Sequence, residues 1–518
     1  MVLSSRLIPL IALPALAAAQ AQQCLPTDVL DPDGTNLNDD FGFGVAVDGA
    51  RAFVGAPGDQ NLQGTSSGAA YLIDLVSGEV ELVLSIFGAQ TGDRFGESVD
   101  ICGPRAVVGT KWGGATSFIG AAHLYDLEAG TKIAKLSAIA PVVVDHGFGR
   151  VVAITPTRVL VARPLDSVPG GACGAVDVFD ALTGAPLQTL LPDDPGGLGA
   201  LGQFGSAMAV DGELVVIGAP RDGSQGVAEA GAAYVFDLTT GQRLTKLFPP
   251  APGAGDRFGT SVAIEGGLVA VGAPLADVVF PDTGRAWTFD AATGAPLAEL
   301  IRPGADAGEE FGTAVGITAG VALVGAPKAY GYRGVVQRFD AVTGAAADAL
   351  VPCDSDGGDR VGSAISTCSS TVVVSAPTGG PGPGTGVLHE FALDLGHWSS
   401  LGSGLAGISG VPSLSGTGAL EPECLVQLVV SNAAPSAPAV LVLGSSALSL
   451  ALLGGQLIPS PDAVVAGLVT EPDGTLELGF QLVSAIPSGL DLYVQAWVLD
   501  AGGPQGFAAT AGLTATAP

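Results

Sequence analysis

A Phe-Gly pair recurs along this chain, at Phe41-Gly42, Phe95-Gly96, Phe148-Gly149, Phe204-Gly205, Phe258-Gly259 and Phe311-Gly312, with Val361-Gly362 as a degenerate seventh copy. Successive openings lie 54, 53, 56, 54, 53 and 50 residues apart. Sixteen residues after each opening stands Pro57, Lys111, Pro164, Pro220, Pro274, Pro327 or Pro377, and five of these blocks read Gly-Ala-Pro or Ser-Ala-Pro. A constant internal offset within a slightly variable period means a fixed core with loops of variable length. Self-similarity of this kind belongs to propellers and solenoids.

Each unit divides into four short apolar stretches separated by turn residues. In the fifth unit they read FGTSVAI, LVAVGAP, GRAWTFD and APLAEL. The first three alternate or run apolar and are rich in Val, Ile, Phe and Ala, which predicts strands. The fourth is marked by Leu84, Leu136, Leu190, Leu247, Leu300 and Leu350, each six residues after a Gly. No unit carries an amphipathic stripe of helical length. Four strands in about fifty residues is the size of one propeller blade.

The third and fourth stretches are joined by Asp-x-x-(Thr/Ser/Ala)-Gly, beginning at Asp74, Asp126, Asp180, Asp237, Asp290 and Asp340. A ladder of carboxylates resembles a metal or catalytic array. Each Asp nevertheless has its own turn to cap, because its side chain accepts backbone N–H bonds two residues on and the Gly supplies a positive φ. Turn capping is the expected role.

The seventh unit lacks a fourth strand after Gly396, whereas Leu30 precedes Phe41 by 11 residues, the offset that separates Leu84, Leu247, Leu300 and Leu350 from their next openings. Residues 24–30 therefore read as a displaced fourth strand that pairs with the last unit, closes the ring and removes its open edge. The expected fold is all-β: a seven-bladed β-propeller over 24–396, a Gly/Ser-rich linker over 397–420, and a β-sandwich-like module over 421–518. Within that module the uncharged interval 438–459 is expected to form two buried strands and a turn rather than a membrane span.

The order Phe-Gly, then Gly-Ala-Pro, resembles the FG-GAP repeats of the integrin α-subunit propeller and its bacterial secreted relatives. The resemblance implies an extracellular protein used in adhesion or ligand binding, often with calcium in the blade turns. The calcium loop of that family, Asp-x-Asp-x-Asp-Gly between first and second strands, has no counterpart here, since those turns are as short as VDGEL and IEGGL. Acids gather instead before the openings, at Asp31 and Asp33 and at Asp354, Asp356 and Asp359, where oxygen ligands for calcium are one candidate reading and turn capping the other. The stretch GAAYVFDLTTGQRL also resembles blades of pyrroloquinoline-quinone propellers. The place of their docking Trp holds Leu here, and no adjacent Cys-Cys pair is present.

Composition sets the address and narrows the partners. Residues 1–21 hold one basic residue, Arg6, an apolar run Leu7–Ala19, and small residues before the expected cleavage, as in a secretory signal. With 20 basic and 50 acidic residues the net charge is −30, which repels nucleic acid and anionic membranes. Six cysteines at 24, 102, 173, 353, 368 and 424 permit disulfides in an exported chain. Cys24, Cys368 and Cys424 fall toward one end of the last blade, so a Cys24 bond to Cys424 or Cys368 is expected to staple the closure. None of His123, His146, His389 and His397 has a metal spacing, and no nucleophile elbow, P-loop or dinucleotide fingerprint occurs.

The expected function is therefore non-enzymatic. A secreted or cell-surface monomer, with no transmembrane span, presents a loop face to an extracellular protein or glycan. The loops between second and third strands vary most and hold Trp112, Phe118, Arg221, Phe280, Tyr330, Tyr332 and Arg333. Aromatic and basic residues on such loops suit recognition, or else they shield the seams between blades. A quinoprotein-like or hydrolytic propeller enzyme, and a purely structural envelope component, are the alternatives.

Overall fold

The computed structural model describes residues 39–516, except 61–65, 87–91, 111–119, 140–146, 169–170, 173, 193–201, 224–225, 351–356, 369–370, 379–385, 393–397, 402–403, 418–424, 454 and 482–489. It is an all-β structure. Each of the first six repeats forms a four-stranded antiparallel sheet, and the last forms a three-stranded one. In the fifth repeat the strands are Ser261–Glu265, Leu268–Ala273, Arg285–Asp290 and Pro296–Leu300, hydrogen-bonded in chain order.

Burial explains the pattern within a sheet. The second and third strands are covered on both faces, which is why Leu268–Ala273 runs almost continuously apolar and the four inner residues of Arg285–Asp290 are all buried. The fourth strand is an outer edge, largely exposed, with Ala298 half-buried and only its last residue, Leu300, buried. Leu84, Leu136, Leu190, Leu247 and Leu350 end their own strands in the same buried position. The first strands touch one another: each contacts those of the sheets before and after it, and Ile365–Cys368 of the last sheet contacts Gly44–Asp48 of the first.

The Phe-Gly and Gly-Ala-Pro blocks meet where two sheets meet. Every opening Phe is buried, and its ring lies edge-on to the third strand of its own sheet, as in Phe41 against Tyr71 at 5.6 Å and Phe258 against Trp287 at 5.5 Å. The other side of each ring packs on the preceding sheet, so that Phe258 joins Val216, Val235 and Leu247. Between sheets the backbones approach closely. A Cβ on Gly218, in the Gly-Ala-Pro of the fourth repeat, would stand 2.0 Å from the carbonyl oxygen of Gly259 in the next Phe-Gly. A Cβ on the Gly before each third strand meets the next opening in the same way, and at Gly386 the atom it meets, at 2.0 Å, is the carbonyl oxygen of Phe41. The last sheet thus packs against the first with the geometry used between neighbours. Phe41 there shares a core with Val373 and Leu388.

The expected closing strand, residues 24–30, lies outside the described residues. The stretch expected to be a linker differs from that reading. Trp398–Ser400 pairs with Leu513–Thr516, and Ser413–Thr417 pairs with Leu425–Ser431. Both strands are short or rich in Ser and Gly, so composition concealed their extended pairing. These strands belong to sheets drawn wholly from residues 398 onward, packed around Leu428, Leu441, Val494 and Val498. The uncharged interval 438–459 holds three strands rather than two. Pro438–Gly444 is largely buried, whereas Leu448, Leu450 and Leu452 of the hairpin that follows are exposed.

Candidate functional site

The loop between second and third strands of one sheet is hydrogen-bonded to the link that leads into the next. Gly308 N–H donates to Pro281 O at 3.0 Å, Glu310 N–H to Asp282 O at 3.1 Å, and Phe311 N–H to Thr283 O at 3.0 Å. Arg257 and Phe258 make the same pair of bonds to Glu229 O and Ala230 O. These loops and links therefore share one face. The residue before each opening is left-handed at Asp40, Arg94, Gln203, Arg257, Glu310 and Arg360, with φ between 53° and 59°. That bend turns the chain from the face into the seam.

Among the described residues, the loop of the sixth repeat stands apart on this face. After Ala326-Pro327 the chain makes a single turn, Ala329–Tyr332, in which Tyr330, Gly331 and Tyr332 have φ of 52°, 72° and 69°. Left-handed backbone is uncommon for a bulky side chain. Hydrogen bonds fix it: Tyr332 N–H donates to Lys328 O at 3.3 Å, and Tyr332 O accepts from Gly358 and Arg360 at 3.1 and 2.9 Å. Tyr330 is 61% exposed and Tyr332 47%. Each ring is backed by a guanidinium, Arg302 at 5.0 Å and Arg360 at 5.6 Å.

Charges at this seam are compensated. Arg302 is buried with Glu309, donating from Nε at 2.8 Å, and its Nη1 reaches the Tyr330 hydroxyl at 3.1 Å. Burial alone lowers the tendency of Arg302 to hold its proton, but the Glu309 carboxylate and the Tyr330 hydroxyl more than offset it. Lys328 Nζ lies 2.6 Å from Glu310 Oε1.

The structure thus brings together Tyr330, Tyr332 and Arg333 of the expected face, with Asp359 in the link that the Tyr332 carbonyl pins. Phe280, 46% exposed, stands on the preceding loop, which holds the link carrying Glu309 and Glu310. Arg221 lies earlier in the chain, beside Glu229 at 3.9 Å, and Glu229 also faces Arg257 at 3.6 Å. Trp112, Phe118, Asp31, Asp33, Asp354 and Asp356 lie outside the described residues, as do Cys24 and Cys424. Cys368 Sγ accepts the Gly49 N–H at 3.3 Å, which places it where the last sheet meets the first. Among the described residues no group of three or more His, Cys, Asp or Glu is arranged to hold a metal, and no helix is long and apolar enough to cross a membrane.

The Asp ladder caps turns. Asp74 Oδ1 accepts from Val76 and Ser77 N–H at 2.9 and 2.7 Å, and Asp340 Oδ1 from Val342 and Thr343 at 3.1 and 2.7 Å. A different set of acids escaped the sequence reading. Asp211, seven residues after its Phe, accepts the Gly266 N–H of the next repeat at 2.8 Å, and Glu265 accepts the Ala319 N–H at 2.6 Å. Asp48 takes the Gly103 N–H in the same way. Asp100 sits two positions earlier and accepts from Ile154 at 2.7 Å. The constant offset from Phe was visible, but nothing local showed that the partner lies one repeat away.

The family model of the FG-GAP repeat matches residues 28–73, 189–236 and 242–289. The second and third matches start at or near a fourth strand and run through the next sheet's third, so they span the seams described above. No curated protein is similar enough to match this chain.

Proposed function

Because this chain carries FG-GAP repeats, we propose that it is a seven-bladed propeller, whose last blade is completed by residues 24–30, followed by a C-terminal β-module that begins near Trp398. Support for the ring comes from the contact of Gly386 with Phe41, which repeats the geometry of the other seams. Support for the separate module comes from sheets that, among the described residues, draw no strand from before residue 398.

On that scaffold we infer a secreted or cell-surface binding protein without enzymatic activity, which engages an extracellular ligand through its loop face. The observation that carries this reading is the pair of exposed tyrosines held in left-handed backbone at the sixth repeat. Strain of this kind persists only where the surrounding structure enforces it, and it concentrates at functional positions. Seam shielding, the competing role, would bury the rings, and these rings are open.

The test is capture from a native cell surface by immobilised protein, with and without calcium, for the wild type and for Phe280→Ala and Tyr332→Ala. Capture that falls at least fivefold in either variant, with unchanged melting temperature, is the expected result. Equal capture by all three proteins would remove the loop face from consideration. Quinone absorbance in the purified protein would favour an enzyme instead.

A further inference from the structure

We propose that the Tyr330–Tyr332 loop is a stacking platform for an uncharged glycan; this rests on the loop-face reading above and specifies its ligand. Two tyrosines present ring surface to solvent from a backbone locked by hydrogen bonds to the next link. Their orientation is set from beneath by Arg302 and Arg360, which leaves the outer side of each ring available. A rigid aromatic ring with a hydroxyl at its tip offers an apolar plane and a hydrogen-bonding group together. The C–H face and the hydroxyls of a sugar ring present the complementary pair.

Charge selects among ligand classes. Arg302 is paired with Glu309 and Lys328 with Glu310, so two of the cations at this seam are already matched. The chain as a whole carries −30, which disfavours polyanions. The arrangement of the rings separates a glycan from a protein. A protein interface centres on a contiguous desolvated apolar patch. Here Tyr330 and Tyr332 stand among ion pairs, and Phe280 follows on the neighbouring loop across the link that both loops hold. Spaced single rings suit successive sugars of an oligosaccharide.

Affinity electrophoresis in gels containing a soluble β-glucan, a soluble galactomannan or polygalacturonate tests this. The variants are Tyr332→Gly, Tyr330→Ala and, as an exposed control in the strand Ala447–Leu452, Leu450→Ala. Tyr332→Gly is the informative one, because glycine adopts the left-handed backbone without strain. We expect retardation of the wild type by at least one of the two uncharged polysaccharides. We expect the apparent Kd to rise tenfold or more in Tyr332→Gly and Tyr330→Ala, and to be unchanged in Leu450→Ala. Tyr332→Gly should also melt no lower than the wild type, so its loss of binding is not a loss of fold. No retardation by either neutral polysaccharide, retardation by polygalacturonate alone, or equal retardation of all variants overturns the proposal. If polysaccharide binding is absent while Tyr332→Gly still loses capture from the cell surface, the glycan assignment fails and the loop face stands. If Tyr332→Gly and Phe280→Ala both retain that capture as well, both fail.

Discussion

At Gly218 a single methyl group decides whether two sheets can meet. Its backbone lies in a strand, so no unusual φ demands glycine there; the carbonyl of Gly259 does. Gly212 is the opposite case, with φ of 56° and nothing within 4 Å of a Cβ. We expect Gly218→Ala to cost about 3 kcal/mol, because backbone cannot yield as a flexible side chain does. Gly212→Ala should cost only about 1 kcal/mol, for the left-handed conformation alone. Urea unfolding midpoints measure both, and equal losses would contradict the account of the seam. The repeated Gly was legible as a pattern, but the two reasons for glycine were not distinguishable in sequence. Ala162 and Ser375 occupy the Gly-Ala-Pro glycine position in two repeats, and there a Cβ on the facing Gly205 or Gly42 would lie 3.0 or 3.3 Å from their own Cβ atoms.

Strands and their turns carry the pH response. The hairpin carboxylates Asp180, Asp237, Asp290 and Asp340 are held below the usual range by hydrogen bonds from Thr183, Thr240, Thr293 and Thr343. Depressed in the folded state, they contribute stability that is present above the unfolded value of 3.8 and lost as pH falls through the folded one. Asp100 behaves in the opposite sense. It retains some accessible surface, yet burial among the first strands pushes its carboxyl up to about 7. The stability linked to its neutral form is complete below about 3.8 and is lost as pH rises through about 7. Stability should therefore decline on both sides of mildly acidic pH. Asp100→Asn, which keeps an acceptor for Ile154, should flatten the limb between pH 4 and 7 and leave the acid limb intact. A pH series of unfolding midpoints with an unaltered upper limb would refute this. The strand pattern and the capping Asp residues were readable because both are local. The acids that bridge repeats, and the left-handed tyrosines, were not, because each depends on a partner outside its own strand and turn, 54 or 55 residues away for the acids and in a neighbouring link for the tyrosines.

For the whole molecule, the proposed closure makes the N-terminal segment part of the last blade. Deleting residues 24–30 should leave the strand Val387–Ala392 as an open edge and produce dimers or larger species by edge pairing. Light scattering after size exclusion reads this, and a monomeric variant with an unchanged melting temperature would contradict the closure. The four-stranded repeats were legible because their offsets recur, whereas the short strands Trp398–Ser400 and Ser413–Thr417 were not, since they have no internal repeat against which to align. The seam between Gly386 and Phe41 has a further consequence. In a closed ring the angles between neighbouring sheets must add up to one full turn, so none of them is independent. A seam widened by one bulky substitution cannot simply open, as it would at the end of a linear stack; every other seam must narrow to compensate. If the ring closes as proposed, sequence change on the loop face escapes that arithmetic, which would leave the face at liberty to vary from one repeat to the next while the circle beneath it kept its measure.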